Sequence, residues 1–206
     1  MKISLTKIAA LVTMLLFASS TKAQNADYVI TVQGDTLACK ISGLGFIRYG
    51  YKTAQMKTQK PILLSEIKEY YLSKEGVIYR KVYKRPNKPR SAEFLRVIEN
   101  GKINLYEETT TTVSKDAAFG ASASSSNKWY ISKGSDTVKV LKNSDISLAT
   151  LFFKSKEKRK NDFAEMIMDN KEVYDKYLAD DKFSFEQIRA LVHLYNTGEL
   201  FKDQPK

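Results

Sequence analysis

From Asp27 to about Leu141 the chain alternates short runs of β-branched and aromatic residues with turn residues. Such runs, four to eight residues long and punctuated by Gly, Asn and Asp, predict strands joined as hairpins. Tyr28-Val29-Ile30-Thr31-Val32 and Thr36-Leu37-Ala38-Cys39-Lys40-Ile41 flank Gln33-Gly34-Asp35, where Gly accepts the positive φ of a tight turn. Phe46 to Lys52 reads as a further strand. Ile67–Leu72 and Val77–Tyr83 flank a turn at Ser73 to Gly76, and Phe94–Ile98 and Ile103–Glu107 flank Glu99-Asn100-Gly101-Lys102, whose Asn-Gly pair is a strong hairpin signal. Trp129-Tyr130-Ile131 and Thr137–Leu141 flank Lys133-Gly134-Ser135-Asp136. Regularly spaced antiparallel hairpins imply a sandwich or an open barrel.

The period changes from about Ser147. Phe163, Ala164, Ile167, Met168 and Asn170 fit one helical face, Val173, Tyr174, Tyr177 and Leu178 a second, and Ile188, Leu191, Val192 and Tyr195 a third. Ser184-Phe185-Glu186-Gln187 matches a capping box at the start of the last helix, and Gly198 is placed to end it in the left-handed conformation. No face is wide enough to be buried alone. The expected fold is therefore α+β: an antiparallel, hairpin-rich sheet over 24–146, followed by a segment of about three short helices, 147–206, packed on it. Residues 109–127, four threonines and then an Ala- and Ser-rich stretch with a lone Phe119, have no hydrophobic period and read as a mobile loop.

The segment before Asp27 has a different character. Lys2 and Lys7 precede an almost wholly apolar run, Ile8 to Phe17, and then the small residues that end in Thr21-Lys22-Ala23. These are the three parts of a secretory signal, with cleavage expected after Ala23. The apolar run is shorter than the ~20 residues that a bilayer-spanning helix needs, and no later stretch approaches that length. Removing residues 1–23, which carry Lys2, Lys7 and Lys22 and no acid, leaves 183 residues and lowers the net charge from +11 to +8.

Composition excludes several chemistries. One Cys and one His cannot supply an internal disulfide, a multi-thiolate zinc site or a two-histidine relay. Cys39 shares an alternation face with Leu37 and Ile41 and reads as a small buried apolar residue. His193 falls on the wheel of the last helix with Glu186, Arg189 and Ala190, at its boundary with solvent. Carboxylates are plentiful at Glu66, Glu69, Glu93, Glu99, Asp180 and Asp181, but their spacing singles out no acid/base pair. Gly-rich phosphate loops, nucleophile elbows and dinucleotide fingerprints are missing. No catalytic residue, metal ligand or cofactor is expected.

The local feature that stands out is basic. Tyr79 to Arg90 contains six Lys and Arg, no acid, and two tyrosines at strand spacing. If Tyr79, Lys81, Tyr83 and Arg85 share a strand face, rings and cations alternate on a surface suited to an anionic polymer or a headgroup layer, with Lys88 and Arg90 beside it. A solvated edge strand protected by its charges and prolines is the plainer alternative. Lys154 to Lys160 forms a second basic cluster.

The export signal followed at once by Tyr28–Leu37, the Glu99–Tyr106 segment, the Trp129-Tyr130-Ile131 strand and a helical end closing on Tyr195-Asn196 together resemble a group of exported Gram-negative envelope proteins of unknown function. That group has an N-terminal Gly-Asp-Thr hairpin, and this chain departs from it where Ala38 and Cys39 stand in place of a frequent Gly. The resemblance implies a periplasmic or outer-membrane-associated location and lends no catalytic residues. The expected function is a non-catalytic binding or interaction module at the cell envelope that uses the basic, aromatic surface for anionic ligands. Its partner would be an envelope component or another envelope protein, through an anionic glycan or a membrane surface; nucleic acid and a membrane span after cleavage are not expected. The alternatives are a hydrolase-type enzyme with its site between the sheet and the Ala/Ser-rich loop, and a carrier of an apolar ligand.

Overall fold

A computed structural model describes residues 26–44, 48–116, 120–143, 156–180 and 182–202. The expected signal segment, Phe119, Lys154 and Asp181 lie outside the described residues. Among the described residues ten strands form: β1 Asp27–Thr31, β2 Thr36–Leu44, β3 Arg48–Lys52, β4 Lys60–Pro61, β5 Ile67–Leu72, β6 Val77–Tyr83, β7 Ala92–Glu99, β8 Ile103–Asp116, β9 Gly120–Lys133 and β10 Lys139–Asn143. They make an antiparallel sheet in the order β10-β9-β8-β7-β6-β5-β1-β2-β3-β4, which is not closed. Three helices follow: α1 Lys156–Ile167, α2 Lys171–Ala179 and α3 Phe185–Thr197. Among the described residues no helix is long and apolar enough to cross a membrane. The chain forms two compact units, divided between Ile78 and Tyr79.

In the first unit β1 lies between β2 and β5. Gly34 turns the β1–β2 hairpin with φ of 98°, the conformation for which glycine is needed there. Asp27 ties the unit together by accepting from the amides of Ile41 and Ser73, each at 2.8 Å, and from the Ser73 hydroxyl at 2.7 Å. Burial works against its charge, but these hydrogen bonds outweigh it and hold the carboxyl below its ordinary range. Cys39, expected in the core, is only half-buried. Burial first, and then the nearby Asp27 charge, push its thiol up to about 11, so it is held as the unreactive thiol.

Where β8, β9 and β10 lie under the helices they are covered on both faces, and this explains why their apolar residues run together there instead of alternating. One face, formed by Val82, Leu95, Tyr106, Tyr130 and Val138, closes on itself with Val97 and Val140 at its margin. The sheet curls far enough for the end of β6 to meet residues 136–138: the Tyr83 amide donates to the Asp136 carbonyl at 2.8 Å, and the Val138 amide donates to the Tyr83 carbonyl at 3.0 Å. That contact is a single parallel bridge, Tyr83 with Thr137. The opposite face, with Ile103, Leu105, Trp129, Ile131 and Leu141, packs against Phe163, Ile167, Val173, Tyr177, Ile188, Leu191 and Val192 of the helices.

The last helix starts and stops where its capping residues predict. Ser184 Oγ accepts from the Gln187 amide at 3.1 Å, Gln187 Oε1 reaches back to accept from the Phe183 amide at 2.6 Å, and Gly198 ends α3 with φ of 76°. Asn170, expected on the apolar face of α1, instead caps α2 by accepting from the Val173 amide. Met168 and Leu178, expected to be buried, are 65% and 61% exposed, so the first two helices bury narrower stripes than their sequence offers, while α3 buries Leu194 besides its expected stripe.

Of the mobile loop expected at 109–127, residues 109–116 and 120–127 are instead strand, and 117–119 lie outside the described residues. β8 and β9 pair in unbroken register from Ile103 with Lys133 to Asp116 with Gly120. The hydrophobic period is missing because this distal part lies beyond the sheet's partners: β7 pairs with β8 only as far as Glu107, and β10 reaches only Lys128 of β9. Thr109 to Thr111 are exposed, so no side must be apolar, while the β-branched threonines still favour the extended backbone.

Candidate functional site

The basic stretch divides into a strand face and a turn. Val82 points into the curled core, so Tyr79, Lys81 and Tyr83 share the opposite face of β6. Register sets them against Arg96, Phe94 and Ala92 of β7 in that order. All three are half-buried, and the Lys81 ammonium lies 5.5 Å from the centre of the Tyr83 ring. Farther along the same face Arg96 pairs with Glu107 at 3.1 Å, and Glu107 also accepts from the Trp129 indole at 3.1 Å. The expected alternation holds as far as Tyr83. Arg85 does not continue it, because β6 ends there and the chain turns.

Residues 84–91 form a compact turn pinned by one side chain. Ser91 Oγ accepts from the Arg85 amide at 3.1 Å and has the carbonyls of Lys88 and Arg85 as acceptors at 2.7 and 3.0 Å. The Ser91 amide donates to Lys88 at 2.8 Å, and the Lys84 amide donates to the Ser91 carbonyl at 3.1 Å. Asn87 takes a positive φ of 56° between Pro86 and Pro89, whose rings fix their own φ. The backbone is therefore ordered before any ligand arrives. Lys84, Arg85, Lys88, Arg90, Ser91, Ala92 and Glu93 line a hollow of about 350 Å³ at this turn.

Lys84 differs from the other cations of the turn. Its ammonium meets Glu93 and donates to Glu108 at 2.7 Å, and it lies 5.3 Å from the centre of the Tyr130 ring. The Tyr130 hydroxyl in turn donates to Glu108 at 2.5 Å. Burial disfavours both charges, yet the hydrogen bonds between them prevail, so the Lys84 ammonium is held above and the Glu108 carboxyl below its ordinary range. Burial and then the Glu108 carboxylate push the Tyr130 phenol well up, so it remains a donor. This network plugs one end of the curled core. By contrast, Arg85, Lys88 and Arg90 are exposed and, among the described residues, have no carboxylate within ion-pair distance.

The sequence reading missed this network, although a period-2 signal marks it. Lys84, Glu93, Glu108 and Lys128 each stand two residues beyond an inward-facing apolar residue: Val82, Leu95, Tyr106 and Tyr130. His193, placed at the solvent boundary, has a partner: its Nδ1 lies 3.2 Å from Glu99 Oε2, while Arg189 donates to Glu99 Oε1 at 2.8 Å. These contacts fasten α3 to β7. Among the described residues no group of three His, Cys, Asp or Glu is placed to hold a metal ion. The chain matches no protein-family model, no curated protein and no solved structure.

Proposed function

We propose that this chain is an exported, non-catalytic binding module of the cell envelope, periplasmic or outer-membrane-associated after cleavage behind Ala23, and that its turn at 84–91 holds an anionic envelope component. The observation that carries the reading is the difference in pairing along the basic stretch. Lys84 is neutralised by Glu93 and Glu108, whereas Arg85, Lys88 and Arg90 stand together, exposed, on a backbone ordered by Ser91. Cations kept apart from the available carboxylates retain their full attraction for an external anion, and a preordered turn loses little entropy on binding. The Tyr79, Lys81 and Tyr83 face adds rings and a cation next to it. The export signal in residues 1–23 supports the location.

The test is binding to anionic vesicles and to an anionic glycan over a salt series. Affinity should fall steeply with salt, because exposed charges are screened within about 8 Å at physiological ionic strength. It should also be lost in Lys81→Glu with Arg85→Glu. Affinity that is indifferent to salt, or that survives the double variant, would sink the reading.

A further inference from the structure

We infer that the hollow at the 84–91 turn is a site for a phosphomonoester group, one small headgroup in size. This rests on the anion-binding reading above and narrows it to a ligand class. Three observations converge on it: charge, shape and size.

Four cations line the hollow, Lys84, Arg85, Lys88 and Arg90, and the two carboxylates in contact with Lys84 are Glu93 and Glu108. The residues that line the hollow carry four positive charges and one negative, and a dianion offsets more of that excess than a monoanion does. At neutral pH a phosphomonoester carries roughly −1.5 to −2, whereas a phosphodiester, a sulfate ester or a carboxylate carries about −1. Arg85 and Arg90 present planar, five-donor guanidinium forks, which match pairs of oxygens on a tetrahedral phosphoryl group, and Lys88 adds a point charge. The volume of about 350 Å³ lies at the low end of the ~300–1,000 Å³ range of ligand pockets. That space suits one glycerol- or sugar-sized unit, not a stretch of polymer. Ser91 is the positioning residue, since its hydroxyl binds Arg85 and Lys88 backbone groups and so fixes where two of the cations start.

The experiment is calorimetric titration of the purified chain, at low salt and neutral pH, with glycerol 3-phosphate and with its methyl phosphodiester. A parallel arm uses vesicles containing phosphatidic acid or phosphatidylglycerol. The monoester should bind about tenfold more tightly than the diester, and phosphatidic acid more tightly than phosphatidylglycerol. Binding of the soluble monoester identifies a free phosphorylated compound as a sufficient ligand; binding only of phosphatidic acid vesicles identifies a membrane-borne one. Arg85→Glu with Arg90→Glu should abolish both. Ser91→Ala changes no charge, so it should weaken the monoester severalfold while the diester and the tryptophan fluorescence of the folded chain stay unchanged. Equal affinity for monoester and diester, or an unaltered monoester affinity in Ser91→Ala, overturns the phosphomonoester site and leaves the broader anion-binding reading standing. Failure to bind any of these anions overturns the phosphomonoester site, and failure to bind the anionic glycan as well overturns both.

Discussion

Replacing Asn196 with Ala removes two hydrogen bonds that join α3 to the start of β8. Asn196 Oδ1 accepts from the Ile103 amide at 3.0 Å, and Asn196 Nδ2 donates to the Ile103 carbonyl at 2.7 Å, so the side chain stands in for a neighbouring strand. Ile103 is fully buried, and the truncation leaves its backbone donor and acceptor short of partners. Two bonds at a net ~1 kcal/mol each, together with the desolvation of an unpaired amide at ~1–3 kcal/mol, give a loss of about 3–5 kcal/mol. Gly101 belongs to the same contact. A Cβ placed on it would fall 2.6 Å from Asn196 Oδ1 and 2.7 Å from Nδ2, and Gly101 is not among the glycines with positive φ. Gly101→Ala should therefore cost about as much as Asn196→Ala, because both break the same bonds, and should be almost neutral, within about 0.5 kcal/mol, once Asn196 is already Ala. The assay is denaturant unfolding followed by the fluorescence of Trp129, the only tryptophan in the chain and buried in the same core cluster as Ile103. A Gly101→Ala penalty of equal size with and without Asn196 would refute the reasoning and return the glycine's role to the backbone.

Other outcomes follow from the same contacts. Lys84→Met leaves Glu93 and Glu108 without their cation and should cost about 1–2 kcal/mol, less than a fully buried pair because the site is partly solvated. Because the Glu108 carboxyl is held below its ordinary range, its contribution to stability is complete above that range and fades as pH falls through the lowered value. Thermal melts at pH 7 and pH 3 should therefore converge between wild type and Lys84→Met. Phe163→Ala empties a fully buried position ringed by Tyr177 and Phe183 and should cost about 3–5 kcal/mol, read as a shift in the denaturant midpoint at constant slope. Ser184→Ala removes the α3 cap bond and should cost about 1 kcal/mol by the same measurement.

The fold was legible wherever local chemistry decides structure. The bounds of β5 and β6, the caps of α3 and the turn at Gly34 depend on residues a few positions apart, and their pattern is visible in the chain. The hairpin at Asn100-Gly101 forms as expected, but for another reason: neither residue has a positive φ, and the glycine is needed for the approach of Asn196, ninety-five positions away. The ribbon within 109–127 reads as a loop because side chains such as Thr109 to Thr111, Ser124 and Ser125 are exposed and carry none of the alternation by which strands are recognised. Helix stripes were over-read at Met168 and Leu178, since a sequence states which residues can be buried but not how wide a surface awaits them.

The candidate site shows the same division between what the chain states and what contacts decide. Counting charges along 79–90 treats its six cations as equivalent, and the fold does not. Arg80 reaches the side chains of Asn100 and Asn104, Lys81 lies against Tyr83, and Lys84 is fixed between two carboxylates brought from β7 and β8. Arg80 and Lys84 are thereby committed to the protein itself. The cations left for an outside partner are Lys81 on the strand face and those on the turn, where Pro86 and Pro89 prevent strand continuation and Ser91 holds the backbone in place. Edge protection, the plainer expectation for this stretch, does not apply, because β6 lies between β5 and β7 in the sheet and has no free edge. A separation into paired cations that brace the core and unpaired ones on a fixed turn is what an anion site requires, since a binding charge must be positioned without being neutralised.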